Sequence, residues 1–492
     1  MNTLRDVFAG YADWLGYGHE ARADAWLKRL EINEPELNYF RTQPHPLSPA
    51  YRAVAPNLSP PDGYSVGDEP RPPADAAAAL LRARNLSGLN AFTWLADKVV
   101  TPKPGILSGV PIAVKDLMAV AGVPLTGGSA AVDPITSTHD AEVVARLKDA
   151  GAVIIGTTNL HELAYGITSD NPHFGRVANP VALDHMPGGS SGGSAAAIAA
   201  GIVHAAVGTD TAGSIRVPAA CCGIVGFKPS YDVLPRTGVM DLAPSLDHVG
   251  PMGRSVETCA RLFMAMLGLP EMPDWTYRNL SGRTFARLTG YFEWPLDPEV
   301  HAASLAAMAA LKKDGASCTE AEVDGIEAAG AIQFNTICAE ATEVHAQLLQ
   351  LRGERIGEDV RVRLEIGHFL PGHWYVKAQR MRQQLADRID TLFLDADFLV
   401  CPTMRTPAPL IDAGNVDIGG RLYPLHTAVT NLTMPFNLTG LPAISVPWSA
   451  NANGVPIGMQ IIGRRGADCQ VLAVARRLEL ASPWYRHRIA TI

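Results

Sequence analysis

Apolar positions follow the helical repeat at the beginning of this chain and again after a proline-rich gap. The first such set is Leu4, Val7, Tyr11, Trp14 and Leu15. Prolines recur every few residues between Pro44 and Pro73, and because proline fixes φ and lacks a backbone donor, this stretch is interpreted as a loop or linker. We therefore predict an N-terminal helical extension with a Pro-rich linker over residues 1–73, followed by one large domain over residues 74–492.

The large domain alternates between amphipathic segments and short apolar runs. Helical spacing resumes at about Ala74 and predicts further helices at 141–150, 299–313 and 376–392. Short apolar runs predict strands at 112–114, at 151–156 and at the end of 437–447. Helices that alternate with strands are typical of α/β proteins. Since no internal repeat is present, we predict a single α/β unit.

The composition excludes several classes of protein. Of the 492 residues, 47% are hydrophobic and 18% are charged, whereas a disordered chain has low hydrophobicity and high charge. The chain has 41 basic and 49 acidic residues, which gives a net charge of −8. A basic surplus is the usual signature of a nucleic-acid or anionic-membrane partner, so we predict neither partner.

Cysteine usage and the lengths of the apolar runs predict a cytoplasmic protein. The seven cysteines are an odd number and lie scattered along the chain, unlike the dense and usually even set of a disulfide framework. The first residues lack the apolar stretch of a signal peptide. The most apolar run, 195–207, is shorter than the ~20 residues that span a bilayer.

One lysine stands in an unusual setting. Lys115 directly follows the largely apolar run 110–114. It is either a strand-end lysine that extends into water or a lysine whose amine is held out of water. In the second case burial lowers the pKa of the amine enough to make it a base near neutral pH.

The run 188–194 contains only glycine and serine and leads directly into an apolar helical pattern. It is open to three interpretations: a linker, a phosphate cradle at a helix N-terminus, or the G-x-S-x-G elbow of α/β-hydrolases with Ser190 as nucleophile. A P-loop has a lysine where Ser194 stands here. An elbow follows a strand, whereas Pro187 precedes this run.

A second serine, Ser214, follows the small residues Thr211, Ala212 and Gly213. Small residues before a serine let consecutive backbone N–H groups converge, as an oxyanion hole requires, but a purely structural turn has the same composition. Metal binding is disfavoured, because the H-E-x-x-H pattern that begins at His161 has a tyrosine at its second histidine position. We predict no metal site.

Together, the lysine and the two serine motifs resemble those of the amidase signature family. Lys115 precedes Ser190 by 75 residues and Ser190 precedes Ser214 by 24, as in that family's catalytic lysine and two serines. The flanking motifs that match the family as well are 109–116, 158–164, 171–175, 222–229, 245–251, 437–443 and 456–463. The resemblance covers residues 75–480 and leaves 1–73 unmatched.

The resemblance implies a fold and a catalytic triad. The fold is a large mixed β-sheet core covered by helices on both sides. Ser214 is implied to be the nucleophile, and Ser190 the bridging serine, joined to Gly189 by a cis peptide bond. Lys115 is implied to be the base that accepts the proton of Ser214 through Ser190. A serine hydroxyl needs such a base because it is a weak nucleophile by itself.

The family also implies supporting residues around the triad. The backbone amides of the oxyanion hole belong to Thr211, Ala212, Gly213 and the nucleophile itself. The residues implied to line the substrate pocket are Ala164, Gly166 and Ser191. Asp210 and Arg216 are implied to fix the turn by hydrogen bonds.

The implied activity is hydrolysis of a carbon–nitrogen bond in a linear amide other than a peptide, through an acyl-enzyme, with release of ammonia or an amine. The mechanism requires no cofactor and no metal. The partner is a small-molecule amide, and a homodimer is the assembly that the family suggests.

Two departures from the family pattern bear on the substrate. Many members have glycine where Ala212 stands, and an alanine there is strained if the position needs a positive φ. Allophanate hydrolases share this Thr-Ala-Gly-Ser sequence, which points to a small urea-type compound. They commonly carry an arginine where Pro244 stands, however, so allophanate itself is disfavoured.

We therefore predict a stand-alone amidohydrolase for a small linear amide or a urea-type compound. The alternative is the glutamine-hydrolysing subunit of an amidotransferase assembly, in which residues 1–73 would dock a partner chain. Two further hypotheses are an α/β-hydrolase that uses Ser190 and a catalytically silent binding protein. Retention of all three triad residues disfavours the silent protein.

Overall fold

The computed structural model describes residues 75–270 and 277–490. The strands of these two ranges are β1 Phe92–Leu95, β2 Pro111–Lys115, β3 Pro124–Leu125, β4 Ile135–Thr136, β5 Val153–Thr158, β6 Ala205–Asp210, β7 Val225–Lys228, β8 His248–Gly253, β9 Thr284–Leu288, β10 Ser317–Ala321, β11 Phe398–Pro402, β12 Asn415–Ile418, β13 Arg421–Pro424, β14 Ala443–Ala450 and β15 Pro456–Gly463. The helices are α1 Ala76–Asn85, α2 Glu142–Asp149, α3 Gly192–Ala199, α4 Arg216–Cys221, α5 Val256–Leu267, α6 Pro298–Lys313, α7 Ala329–Val344, α8 Ala346–Arg352, α9 Glu358–Ile366, α10 Gly372–Leu392, α11 Leu425–Thr430, α12 Pro435–Leu438, α13 Asp468–Ala481 and α14 Pro483–Ala490.

One mixed sheet forms the centre of the domain. Within the described ranges it has eleven strands in the order β1-β5-β2-β6-β8-β7-β14-β15-β11-β9-β10. The β5, β2 and β6 strands run parallel, as do β11, β9 and β10, and antiparallel pairs join these two groups. The predicted α/β class and large mixed sheet are therefore confirmed.

Alternation along the central strands explains why helices cover both faces. In β2, Ile112 and Val114 belong to one hydrophobic cluster and Ala113 to another, as expected from side chains that alternate across a strand. The first cluster includes residues of α2, α5, α6 and α13, and the second includes residues of α1, α3 and α4. A third cluster packs α7 and α10 against β9 and β11.

The parallel strands bring three chain segments to one edge of the sheet. β5, β2 and β6 are neighbours and end at Thr158, Lys115 and Asp210. Carboxyl ends of parallel strands share one edge, which is where α/β proteins place their ligands. By strand alternation Lys115 lies on the same face as Ala113, the face that α3 covers.

Most of the predicted elements appear with small shifts at their ends. The strand predicted at 151–156 begins instead at Val153, because Gly151 has a φ of +94° and forms the turn out of α2. The helix predicted within residues 1–43 and the linker up to Pro73 lie outside the described residues. None of the helices in the described ranges is long and apolar enough to cross a bilayer.

Candidate active site

Lys115 is fully buried at the end of β2 and has two hydroxyl partners. Its Nζ donates to Ser190 Oγ at 2.7 Å and to Thr209 Oγ1 at 2.8 Å. Burial lowers the pKa of Lys115 to about 7, although the nearby carboxylates of Asp210 and Asp247 oppose this shift. A substantial fraction of the amine is therefore neutral near pH 7 and can accept a proton.

Ser190 lies in the glycine–serine turn that precedes α3. The Gly189–Ser190 peptide bond is cis, as the family resemblance implies. The Ser190 carbonyl accepts the backbone N–H of His161 at 3.1 Å, which ties the turn to the segment after β5. No strand precedes Ser190 directly among the described residues, so the chain lacks the strand–turn–helix context of an α/β-hydrolase elbow.

Ser214 lies in the turn between β6 and α4, beside the Ser190 turn. The Ser191 N–H donates to the Ser214 carbonyl at 3.2 Å, so the backbones of the two serine turns are in direct contact. The side chain of Ser214 makes no hydrogen bond among the described residues, and 7% of the residue surface is exposed. The structure thus brings Lys115 and Ser190 into hydrogen-bond contact and leaves the hydroxyl of Ser214 free.

A buried ion pair holds the Ser214 turn. Arg216 donates to Asp210 through Nε and Nη2, both at 3.0 Å, and neither residue is exposed. Burial alone would raise the pKa of Asp210, but the charge and hydrogen bonds of Arg216 hold it below its usual range. Asn437 adds a hydrogen bond to each of the Asp210 carboxylate and carbonyl, at 2.8 and 2.9 Å. Both ends of the turn are therefore anchored.

Residues 211–214, which the family resemblance implies to form the oxyanion hole and which we call the oxyanion loop, have the backbone conformation that their sequence permits. Gly213 has a φ of +140°, which favours glycine. Ala212 is not among the described residues with positive φ. The strain that a positive φ would impose on alanine at this position therefore does not arise.

Asp247 supports the loop from the segment before β8. Its carboxylate accepts from Thr211 Oγ1 at 2.6 Å and from the backbone N–H groups of Leu242 and Ala243 at 2.8 and 2.9 Å. Burial raises the pKa of Asp247 to about 7, although these hydrogen bonds oppose the shift. A cavity of about 10 Å³ lies between Asp247, Thr211 and Thr209, behind the loop.

The residues expected to line the substrate pocket have three different settings. Ala164 is buried with a φ of +60° and borders the small cavity. At Gly166 a Cβ atom would lie 2.1 Å from His161 Nε2, so only glycine fits under that ring. Ser191 is fully buried and its hydroxyl bonds to the backbone of Thr209, so its side chain faces β6.

A charged residue of α9, Asp359, lies close to residues 164–166, which are expected to line the substrate pocket. Asp359 accepts from His161 Nε2 at 3.1 Å and lies 3.2 Å from the guanidinium of Arg363. Arg363 also donates to the carbonyl of Tyr165. Desolvation would raise the pKa of Asp359, but the charges of Arg363 and His161 lower it to about 2. Both signs of charge therefore lie next to residues 164–166.

Several residues that contact this site carry no assignment from the sequence. Thr209 binds Lys115, and Asp247 binds Thr211. Gln333 and Thr433 donate to the carbonyls of Thr211 and Ala212. Asp247 lies in the motif 245–251, so the sequence could have marked it as a site residue but could not show its contact with Thr211. Gln333 and Thr433 lie in no motif recognised above.

Comparisons with known proteins give a family match and similar relatives. The family model described as Amidase matches residues 79–472. The A subunit of glutamyl-tRNA(Gln) amidotransferase from Chromohalobacter salexigens is 35% identical over 421 residues, which cover 78% of this chain and 85% of that protein.

Two solved structures are also similar to the chain. One is the inhibitor-bound form of a vestigial protein complex that reveals the evolutionary origins of an s-triazine catabolic enzyme, with a TM-score of 0.77 and 32% identity over 82% of this chain and 94% of that one. The other is the A subunit of glutamyl-tRNA(Gln) amidotransferase from Thermotoga maritima, with a TM-score of 0.72 and 33% identity over 83% of this chain and 91% of that one.

Proposed function

Because this chain belongs to the amidase family, we propose that it hydrolyses a carbonyl C–N bond with Ser214 as nucleophile, Ser190 as bridging serine and Lys115 as base. The observation that carries this proposal is the 2.7 Å hydrogen bond between Lys115 Nζ and Ser190 Oγ. A buried amine with a pKa of about 7 is matched to a proton transfer at neutral pH.

The reaction begins when the Ser214 hydroxyl attacks the carbonyl carbon. Its proton passes to Ser190 Oγ as the Ser190 proton passes to the neutral amine of Lys115. The hydroxyl of Ser214 has no other partner among the described residues, and catalytic hydrogen bonds commonly tighten when substrate binds. The protonated relay then delivers a proton to the leaving nitrogen, which departs as ammonia or an amine.

Water completes the cycle by attacking the acyl-enzyme. Lys115 accepts the proton of the water through Ser190, and Ser214 leaves with its proton restored. Both steps place negative charge on the former carbonyl oxygen. The backbone amides of the oxyanion loop stabilise this charge, and loss of one such donor typically costs about 10²–10³-fold in rate.

Glutamine hydrolysis within an amidotransferase assembly is the setting that the curated relatives favour. Those relatives are named as the A subunit of glutamyl-tRNA(Gln) amidotransferase, at 31–36% identity. In this setting the ammonia passes to a partner protein.

A stand-alone reaction on a small amide or urea-type compound is the second candidate. It is favoured by the similarity to the vestigial protein complex that reveals the evolutionary origins of an s-triazine catabolic enzyme, at a TM-score of 0.77. Pro244 stands where allophanate hydrolases commonly carry an arginine, so the chain offers no guanidinium to a carboxylate at this position. An uncharged urea-type compound requires none.

The test is ammonia release from the purified full-length chain with glutamine, primary amides, ureas and carbamates. Ser214→Ala abolishes the activity if the proposal is correct. Ser194→Ala is the matched control, because Ser194 lies in the same serine run and its hydroxyl bonds to Thr158 instead, at 2.7 Å. Hydrolysis of glutamine selects the first setting, and hydrolysis of a urea or simple amide selects the second. Activity that survives Ser214→Ala overturns the mechanism.

A further inference from the structure

The oxyanion loop accepts hydrogen bonds from two side chains that belong to distant parts of the chain, Gln333 and Thr433, which we call the clamps. Gln333, on α7, donates through Nε2 to the Thr211 carbonyl at 3.2 Å. Thr433, between α11 and α12, donates through Oγ1 to the Ala212 carbonyl at 2.6 Å, which is closer than its other acceptor, the Thr430 carbonyl at 3.0 Å. These are consecutive carbonyls of the loop, and each is held by its own donor.

Fixing a carbonyl also fixes the N–H of the following residue. The peptide group is planar and trans, so its C=O and N–H point in opposite directions. The Gln333 bond therefore sets the direction of the Ala212 N–H, and the Thr433 bond sets the direction of the Gly213 N–H. In the described part of the chain neither N–H has an acceptor, so both remain available for an incoming oxygen.

Both clamps are buried. Gln333 is 4% exposed and Thr433 is fully buried. The Thr433 carbonyl accepts from Arg216 Nη1 at 2.9 Å, so Thr433 is itself held by the ion pair that anchors the turn. A Cβ atom on Gly213 would lie 2.4 Å from Thr433 Oγ1. Close approach of the Thr433 hydroxyl to the loop is thus one reason for glycine at this position.

Gln333 carries a further sign of a positioning role. Its Oε1 atom is buried and has no hydrogen-bond partner among the described residues. A buried unpaired acceptor is unfavourable for stability, and an apolar side chain of similar shape avoids that penalty. The amide group at this position therefore adds its one bond to Thr211 at some expense in folding free energy.

We propose that Gln333 and Thr433 are positioning residues that aim the Ala212 and Gly213 amides at the oxyanion of the transition state. This inference rests on the proposed function of Ser214. Neither side chain takes part in the proton relay. Their contribution is the preorganisation of two donors, which is effective because it needs no rearrangement during the reaction.

The test uses a fluorophosphonate probe, since its reaction does not depend on the identity of the amide substrate. Ser214 Oγ forms a bond to phosphorus, the P–F bond breaks and fluoride leaves, and the hydroxyl proton passes through Ser190 to Lys115. The phosphoryl oxygen takes the place of the oxyanion. The second-order labelling rate of the full chain therefore reports the condition of the loop.

Two variants remove the hydrogen bonds of the clamps to the loop without changing the charge of the protein. Gln333→Met and Thr433→Val each lower the labelling rate by about 10-fold or more, as expected when one oxyanion donor is misdirected. Thr433→Ser keeps the hydroxyl and labels at nearly the wild-type rate. Gln333→Met leaves the melting temperature unchanged or higher, a result that a purely structural role for Gln333 does not produce.

Matched controls remove a buried hydroxyl that does not reach the loop. Thr336→Val is the control on α7, because Thr336 Oγ1 donates to Ile332 at 2.8 Å. Thr439→Val is the control near α12, because Thr439 Oγ1 donates to Pro435 at 2.9 Å. Both are expected to label like the wild type.

The possible failures are distinguishable. Wild-type labelling rates in both Gln333→Met and Thr433→Val overturn the positioning role while leaving Ser214 as nucleophile. If Thr433→Val does not fold, Gln333→Met decides by itself. A wild-type chain that does not react, or labelling that persists in Ser214→Ala, overturns the proposed function and this inference with it.

Discussion

Lys115 Nζ and Ser190 Oγ lie 2.7 Å apart although 75 residues separate them in the chain. The contact forms because β2 delivers the lysine to the edge of the sheet on the face that α3 covers, and Ser190 lies in the turn that begins α3. A buried amine next to a hydroxyl has a strongly pH-dependent charge. Both the activity and the stability of the protein should therefore depend on pH.

The rate constant kcat/KM is expected to rise as the pH increases through about 7. Lys115, whose pKa burial lowers to about 7, must be neutral to accept a proton, so activity requires its deprotonated form. The measurement is kcat/KM, or the fluorophosphonate labelling rate, from about pH 5.5 to 9. A flat profile across this range contradicts the assignment of Lys115 as base.

Asp247→Asn is expected to move the acidic limb of that profile to lower pH. The Asp247 carboxylate raises the pKa of Lys115 by its charge, so removing the charge lets the amine lose its proton at lower pH. Asp149→Asn is the control, because Asp149 forms an exposed ion pair with Lys103, away from Lys115. A limb that stays in place or moves to higher pH excludes this coupling.

Lys115→Met is expected to change how stability depends on pH. Between about pH 7 and 10.5 the amine is neutral in the folded chain and charged in the unfolded chain, so the unfolded state binds more protons. Burial of Lys115 therefore lowers the free energy of unfolding by its full amount below pH 7, on the order of 5 kcal/mol. This cost disappears as the pH rises toward 10.5.

The measurement is urea unfolding of both proteins at several pH values. Relative to the wild type, the stability of Lys115→Met should be greatest near pH 6 and should decline toward pH 10. Lys103→Met, at an exposed lysine, should follow the wild type at every pH. If the difference between Lys115→Met and the wild type does not change with pH, the lysine is not neutral in the fold.

Gly213→Ala is expected to lose most activity and some stability. The φ of +140° is unfavourable for alanine, and its Cβ would lie 2.4 Å from Thr433 Oγ1. Gly454→Ala is the matched control, because that glycine also has a positive φ, +81°, but no atom lies within 4 Å of the added Cβ. Equal losses of activity in the two variants would falsify a specific role for the Gly213–Thr433 contact.

Arg216→Met is expected to destabilise the fold by about 3–5 kcal/mol, because it leaves the buried Asp210 carboxylate without its charge partner. Arg261→Met is the control, since Arg261 pairs with Glu257 at the exposed surface, where such a pair contributes about 0–1 kcal/mol. Urea unfolding of both variants measures the contrast. A loss below about 1 kcal/mol for Arg216→Met contradicts the anchoring role of this ion pair.

Much of the fold and of the proposed site could be predicted from the sequence because the signals are local or are matched in the family. The apolar run before Lys115 and the glycine–serine turn before α3 each specify an element by neighbouring residues. The family resemblance and the large mixed sheet are confirmed. The triad assignment stays a prediction, which the hydrogen bond of Lys115 to Ser190 supports.

Other parts of the site depend on contacts that no local pattern contains. The sequence predicted a serine turn with converging amides, but it did not show which way each amide points. That direction is decided by Gln333 and Thr433, which lie 122 and 221 residues beyond their partners in the loop. The family resemblance implies that Ser191 lines the substrate pocket, which stays a prediction, and only the packing shows that the Ser191 hydroxyl bonds to the backbone of β6. Backbone propensity is set by adjacent residues and could be inferred from the chain; the partners of a carbonyl or hydroxyl are set by which elements the core packs together, and only the tertiary structure decided them.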